Sequence, residues 1–168
     1  MARLHKTGDT VSYSNKGLCR IEEIARLDMM GSEKEYYVLS PMYDSHSKVY
    51  VPLENTELTE RMRPALTESE AEGFIERFDL IEPLWKESEA ERKAYYAQLL
   101  SDGERNGIVG MVKGIYNHRC EQESLGKKLH VSDERYIKEG ERLIHGEIAY
   151  AIGIEIGEVH GYIRSKLG

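Results

Sequence analysis

The sequence predicts an α+β chain of two domains: a small antiparallel β-barrel over residues 1–64, then an α-helical domain over residues 65–168. Three observations predict it. The first third alternates short Val- and Tyr-rich segments with Gly, Asn, Asp and Ser turns. The remainder carries helix-capping patterns followed by apolar residues at helical spacing. Between them, Phe78–Tyr96 holds the single tryptophan, Trp85, just before a strong helix start.

The strands follow in order. Thr7-Gly8-Asp9 is a turn, and Thr10–Ser14 places Val11 and Tyr13 on one face. Asn15-Lys16-Gly17 is a tight turn of residues that tolerate positive φ. Leu18–Ile24 is a second strand, and Gly31-Ser32 marks a hairpin loop. Tyr36–Leu39 is a third strand. Asp44-Ser45-His46-Ser47 turns the chain into a fourth strand, Lys48–Val51, closed by Pro52. Thr56–Thr59 is expected to add a fifth. Five short strands without a helix point to a barrel of SH3 or Tudor type, commonly a binding module. His5 and His46 are isolated, so no catalytic group is assembled here.

The second half reads as helix. Thr67-x-x-Glu70 has capping-box spacing and predicts a helix over Glu68–Arg77 that buries Ala71, Phe74 and Ile75. Ser88-x-x-Glu91 starts another, ending near Leu100 before Ser101-Asp102-Gly103. Ile108, Val109, Val112, Ile115 and Tyr116 form the apolar stripe of a helix over Glu104–Gln122. Ser132 is expected to cap the next, with Asp133 and Glu134 favouring its dipole, and Gly153 to end it. A short terminal helix is expected over Gly157–Ile163.

Bulk properties narrow the function classes. The net charge of −7 argues against a protein that coats nucleic acid by bulk electrostatics, so any DNA contact is expected to be local, short and assisted by another protein. No apolar run approaches the roughly 18 residues of a membrane span, and Met1-Ala2-Arg3-Leu4 leads into no signal peptide, so a cytoplasmic location without membrane contact is expected. Cys19 and Cys120 have neither disulfide-framework nor zinc spacing. His118, His130, His145 and His160 form no HExxH pattern, so neither a metal nor another cofactor is expected, and no enzyme.

Five stretches then resemble one family. GDTVSYSNKGLCRIEEI, KEYYVL and VYVPLEN resemble the polymerase-interacting module of the CarD family of bacterial transcription regulators. ERKAYYAQLLSDG and GKKLHVSDERYIKEGERLIHGEIAYAIGI resemble its helical domain. Transcription-repair coupling factors carry a similar first module, but this chain lacks their helicase segments and has the CarD-type tail.

The resemblance implies a mechanism. The Tudor-like module docks on the β subunit of RNA polymerase, at or beside Arg26 and at Tyr50. The helical domain contacts promoter DNA at the upstream edge of the bubble, as a monomer on polymerase. Trp85 is the match for a minor-groove wedge that stabilises the open complex, with Lys86, Arg92, Lys93 and Arg135 as phosphate contacts. From the residues alone, Trp85 has two readings, a core plug between the halves or an exposed wedge. The rival function is an adaptor that docks on polymerase while its acidic helical domain binds a protein rather than DNA.

Overall fold

The computed structural model describes residues 5–29, 31–44 and 46–168, so the expectations for Met1-Ala2-Arg3-Leu4 and for Ser45 lie outside the described residues. The chain divides into two compact units between Ala65 and Leu66.

The first unit is a five-stranded antiparallel sheet. Its strands are β1 (Thr10–Tyr13), β2 (Gly17–Met29), β3 (Ser32–Pro41), β4 (Val49–Pro52) and β5 (Met62–Pro64), in spatial order β4-β3-β2-β1-β5. A single 3-10 turn over Ser14–Lys16 joins β1 to β2, with Gly17 at φ 74° turning the chain back. The β2–β3 hairpin is longer than expected, pairing from Cys19 with Pro41 out to Met29 with Ser32. A bulge between Ile21 and Glu23 interrupts the register, which breaks the strict in–out alternation along β2. Val11, Tyr13, Cys19, Ile21, Tyr37, Leu39, Val51 and Met62 form the core.

The expected strand over Thr56–Thr59 is instead a helix, α1 (Thr56–Glu60). The cap decides this: the Asn55 side chain accepts from the Leu58 N–H, which satisfies one of the first-turn donors and outweighs the β preference of the two threonines. The fifth strand is Met62–Pro64, paired with β1 through Met62–Tyr13, Arg63–Ser12 and Pro64–Val11.

The second unit is α-helical: α2 (Glu68–Glu76), α3 (Glu89–Asp102), α4 (Arg105–Ser124), α5 (Val131–Ile152) and α6 (Ile156–Leu167). The Thr67–Glu70 capping box is formed in both directions. Ser88 Oγ accepts from Glu91 N, and α3 ends at Gly103 in the left-handed region. α5 begins at Val131, two residues earlier than a Ser132 cap would place it, so Ser132 does not cap it. His130 holds that position, and the Ser132 hydroxyl is buried without a hydrogen-bond partner. Tyr116, expected in the core stripe of α4, is 56% exposed. The core gathers Phe74, Ile75, Tyr96, Ile108, Met111, Ile115, Ile137 and Ile148, with Trp85 partly buried against it. No described helix is long and apolar enough to cross a membrane.

Candidate nucleic-acid and polymerase surfaces

The segment that carries Trp85 is not a free linker. It runs extended along α4, where glycines allow close approach. The Leu84 N–H donates to the Gly110 carbonyl at 2.9 Å. A Cβ at Gly114 would stand 2.1 Å from the Leu84 carbonyl oxygen, and one at Gly110 2.8 Å from the Glu82 oxygen. Only glycine fits backbone this near. Tyr96 Oη donates to the same Leu84 carbonyl at 2.7 Å, and burial pushes the Tyr96 phenol well up from its ordinary range. Lys113 Nζ donates to the carbonyls of Phe78 and Ile81, holding the upstream end.

This trace delivers Trp85 to two partners. Its indole stacks on the His118 imidazole, centroids 4.1 Å apart at 26°. The Arg92 guanidinium lies 4.3 Å from its ring centroid. A desolvated cation over an indole contributes about 2 kcal/mol, and an aromatic pair about 0.5–1.5 kcal/mol beyond its area.

Arg92, expected as a phosphate contact, is buried. It is 5% exposed and directed inward. Nε and Nη2 donate to the two carboxylate oxygens of Asp133 at 2.8 and 2.9 Å, while Nη1 donates to the Lys86 carbonyl at 2.9 Å. Its fork is taken up by Asp133 and backbone carbonyls, and its charge is paired in the interior. Removing one partner of such a buried pair costs about 3–5 kcal/mol, because the other charge stays buried and uncompensated.

The other expected contacts are outside. Lys86 is exposed, with Nζ 5.0 Å from the Tyr95 ring centroid. Arg135 is exposed, its guanidinium 5.3 Å from the Tyr136 ring centroid. Lys93 pairs with Glu89 at 3.0 Å, and that ammonium holds the Glu89 carboxyl below the usual range. Lys93 and Arg135 come together: with His130, Val131 and Ser132 they line an open hollow of about 330 Å³ at the start of α5. The cationic side chains of Lys93 and Arg135 thus share one hollow, with Glu89 paired to Lys93 and His130.

In the sheet, the two expected polymerase positions are exposed but not neighbours. Arg26 pairs in register with Glu35 and forms an ion pair with Glu33 at 3.4 Å. Tyr50 is 42% exposed on β4, the strand at one edge, opposite Val38.

His118, Asp133, Tyr96 and the Gly110–Gly114 pair belong to the setting of Trp85, a role that their places in the sequence do not mark. The glycine spacing was a usable signal, since glycine inside a helical pattern implies a packing reason. The Arg92–Asp133 pairing spans 41 residues of chain and has no local signature.

The family model of the CarD-like/TRCF RID domain matches residues 5–66, which cover the described sheet unit and the first residue of the helical one. The amino-terminal unit belongs to the CarD-like family of RNA-polymerase-interacting domains. The CarD-like unit is therefore an interaction module acting in transcription, and RNA polymerase is its partner class. The rest of its helical neighbour lies outside the matched residues.

Proposed function

We propose that this chain is a promoter regulator that docks on the polymerase β subunit and stabilises the open complex through Trp85. β4 is an edge strand with Tyr50 exposed on it, a position suited to addition of a partner strand. The sheet would then complete the SH3/Tudor-like barrel of the family. In the helical unit, Trp85 is the wedge at the upstream bubble edge, while Lys86, Lys93 and Arg135 hold phosphates.

The observation that carries this reading is the buried Arg92–Asp133 pair, which has Trp85 against its guanidinium and the cations Lys93 and Arg135 close in sequence to its two ends. Unstacking a base step costs a few kcal/mol, about what a pre-positioned aromatic ring and a few phosphate contacts offset. The net charge of −7 leaves no non-specific reserve. Tethering on polymerase supplies the missing affinity as effective concentration.

The test is open-complex lifetime at a promoter, with wild type and Trp85→Ala at matched polymerase occupancy. Wild type lengthens the lifetime and protects the upstream bubble edge in a footprint, and Trp85→Ala loses the lengthening. Failure of the full chain to bind polymerase, or of Trp85→Ala to alter the lifetime, rejects the reading. Polymerase binding without upstream protection selects the adaptor, which the Glu89 pairing of Lys93 and His130 would favour.

A further inference from the structure

Asp133 lies on α5, far in sequence from the wedge segment, yet it controls the group that touches the indole. Its two carboxylate oxygens take Nε and Nη2 of Arg92. That grip leaves Nη1 aimed at the Lys86 and Glu87 carbonyls, at 2.9 and 3.4 Å, and the guanidinium plane against Trp85 at 4.3 Å. Arginine is suited to this because its planar fork fixes several donors at once, which a lysine ammonium does not. Both side chains are almost wholly enclosed, at 6% and 2% exposure.

We infer that Asp133 is a positioning residue for Trp85: through Arg92 it fixes the backbone of residues 86 and 87 and the setting of the indole presented to DNA. The inference deepens the wedge reading above and rests on it. A buried ion pair is a poor device for stability alone, since well-packed apolar residues often replace one without loss. What it supplies here is orientation. Among the described residues, Asp133 is the side chain that accepts hydrogen bonds from the Arg92 fork, whose other hydrogen bonds go to backbone carbonyls. Leu84 is held separately, by Tyr96 and Gly110, so loss of Asp133 would loosen residues 86 and 87 and leave the indole held on one side, by His118, with the upstream end in place.

Trp85 is the only tryptophan, so indole fluorescence of the full chain reports on it alone. Asp133→Asn keeps the shape but presents one acceptor oxygen and no charge to the fork. Its acrylamide quenching is expected to rise from the wild-type value toward that of the urea-unfolded chain, while far-UV circular dichroism and a cooperative melt persist. On polymerase, its open-complex lifetime is expected to fall to that of Trp85→Ala. Unaltered quenching in folded Asp133→Asn overturns the inference. So does raised quenching with a wild-type lifetime when Trp85→Ala is short-lived. Should Asp133→Asn fail to fold, Arg92→Lys keeps both charges but loses the fork, and the same two readouts decide. If Trp85→Ala itself leaves the lifetime unaltered, the wedge reading fails, and quenching alone then decides whether Asp133 sets the indole.

Discussion

The Gly114 α-carbon lies so close to the Leu84 carbonyl that a methyl group in place of its hydrogen would stand 2.1 Å from that oxygen. Two effects of Gly114→Ala therefore oppose each other. Helix propensity favours alanine by about 1 kcal/mol. The clash is with backbone, which cannot rotate away, and overpacking costs about 1–3 kcal/mol with more for rigid neighbours. The clash wins. Gly114→Ala is expected to lower the stability of the helical unit by about 2 kcal/mol in urea unfolding, and to red-shift the Trp85 emission. Gly161, inside α6 with nothing within 4 Å of a built Cβ, is the control: Gly161→Ala is expected to raise stability by about 0.5–1 kcal/mol. Equal signs for the two variants would contradict the close approach.

His118 is the second neighbour of the indole, stacked at 4.1 Å. His118→Ala removes one stacking partner and leaves the Arg92 contact. The expected result is a loss of about 0.5–1.5 kcal/mol, with increased quenching of Trp85 by acrylamide. Unfolding monitored by tryptophan emission and by circular dichroism should give the same midpoint, because Trp85 packs on the core of its own unit. A variant as stable and as shielded as wild type would show that Arg92 alone sets the ring.

The fold was legible where its causes are local. Thr67 and Glu70 form their capping box within one turn, and Gly103 and Gly153 end helices at positive φ. The same locality explains the miss at Thr56–Thr59: two β-branched residues suggested a strand, but one hydrogen bond to Asn55 set a helix. Tyr116 was misplaced because helical periodicity gives an apolar stripe without showing where that stripe reaches solvent. The site was legible in part. Trp85 and its cationic neighbours stand out as residue types. Whether an arginine turns inward depends on a carboxylate distant in sequence, and Asp133 looked like an ordinary first-turn acid. Arg92 and Lys93 are adjacent in sequence, yet one is buried and the other lines an open hollow.

That division gives different expectations for the two. Lys93→Ala and Arg135→Ala should each weaken the effect on open-complex lifetime and reduce its dependence on log salt by about 1. Neither should lower the melting temperature much, since exposed pairs such as Lys93–Glu89 are screened by solvent and contribute little. Arg92→Ala should do the reverse first: it leaves Asp133 buried and unpaired, so stability falls by about 3–5 kcal/mol before any change in salt dependence is read. A lowered salt slope from Arg92→Ala at unchanged stability would restore Arg92 as a phosphate contact.

The two thiols are expected to differ sharply in reactivity. Burial pushes the Cys19 thiol up to about 12, with its Sγ donating weakly to the Gly17 carbonyl, while Cys120 is exposed. Only the thiolate reacts, so at neutral pH an aromatic disulfide reagent should label one thiol of the folded chain quickly. The second should react only as the sheet opens, and both at once in denaturant. Rapid labelling of Cys120→Ser would show that Cys19 is reached without unfolding.

The stability of the α5–α6 pairing should depend on pH through His145. Burial lowers its pKa; Glu141 acts to raise it and His160 to lower it further, and burial dominates. The folded state therefore resists the proton that the unfolded chain accepts near pH 6.5. The contribution of neutral His145 is fully present above that value and is lost as pH falls through it toward the lower folded pKa, because the unfolded state then binds more protons. His145→Gln stays neutral throughout. Urea midpoints from pH 7.5 to 5 should fall more steeply for wild type than for His145→Gln, with the two curves separating below about pH 6.5. Parallel curves across that window would place His145 in water rather than half-buried beside α6.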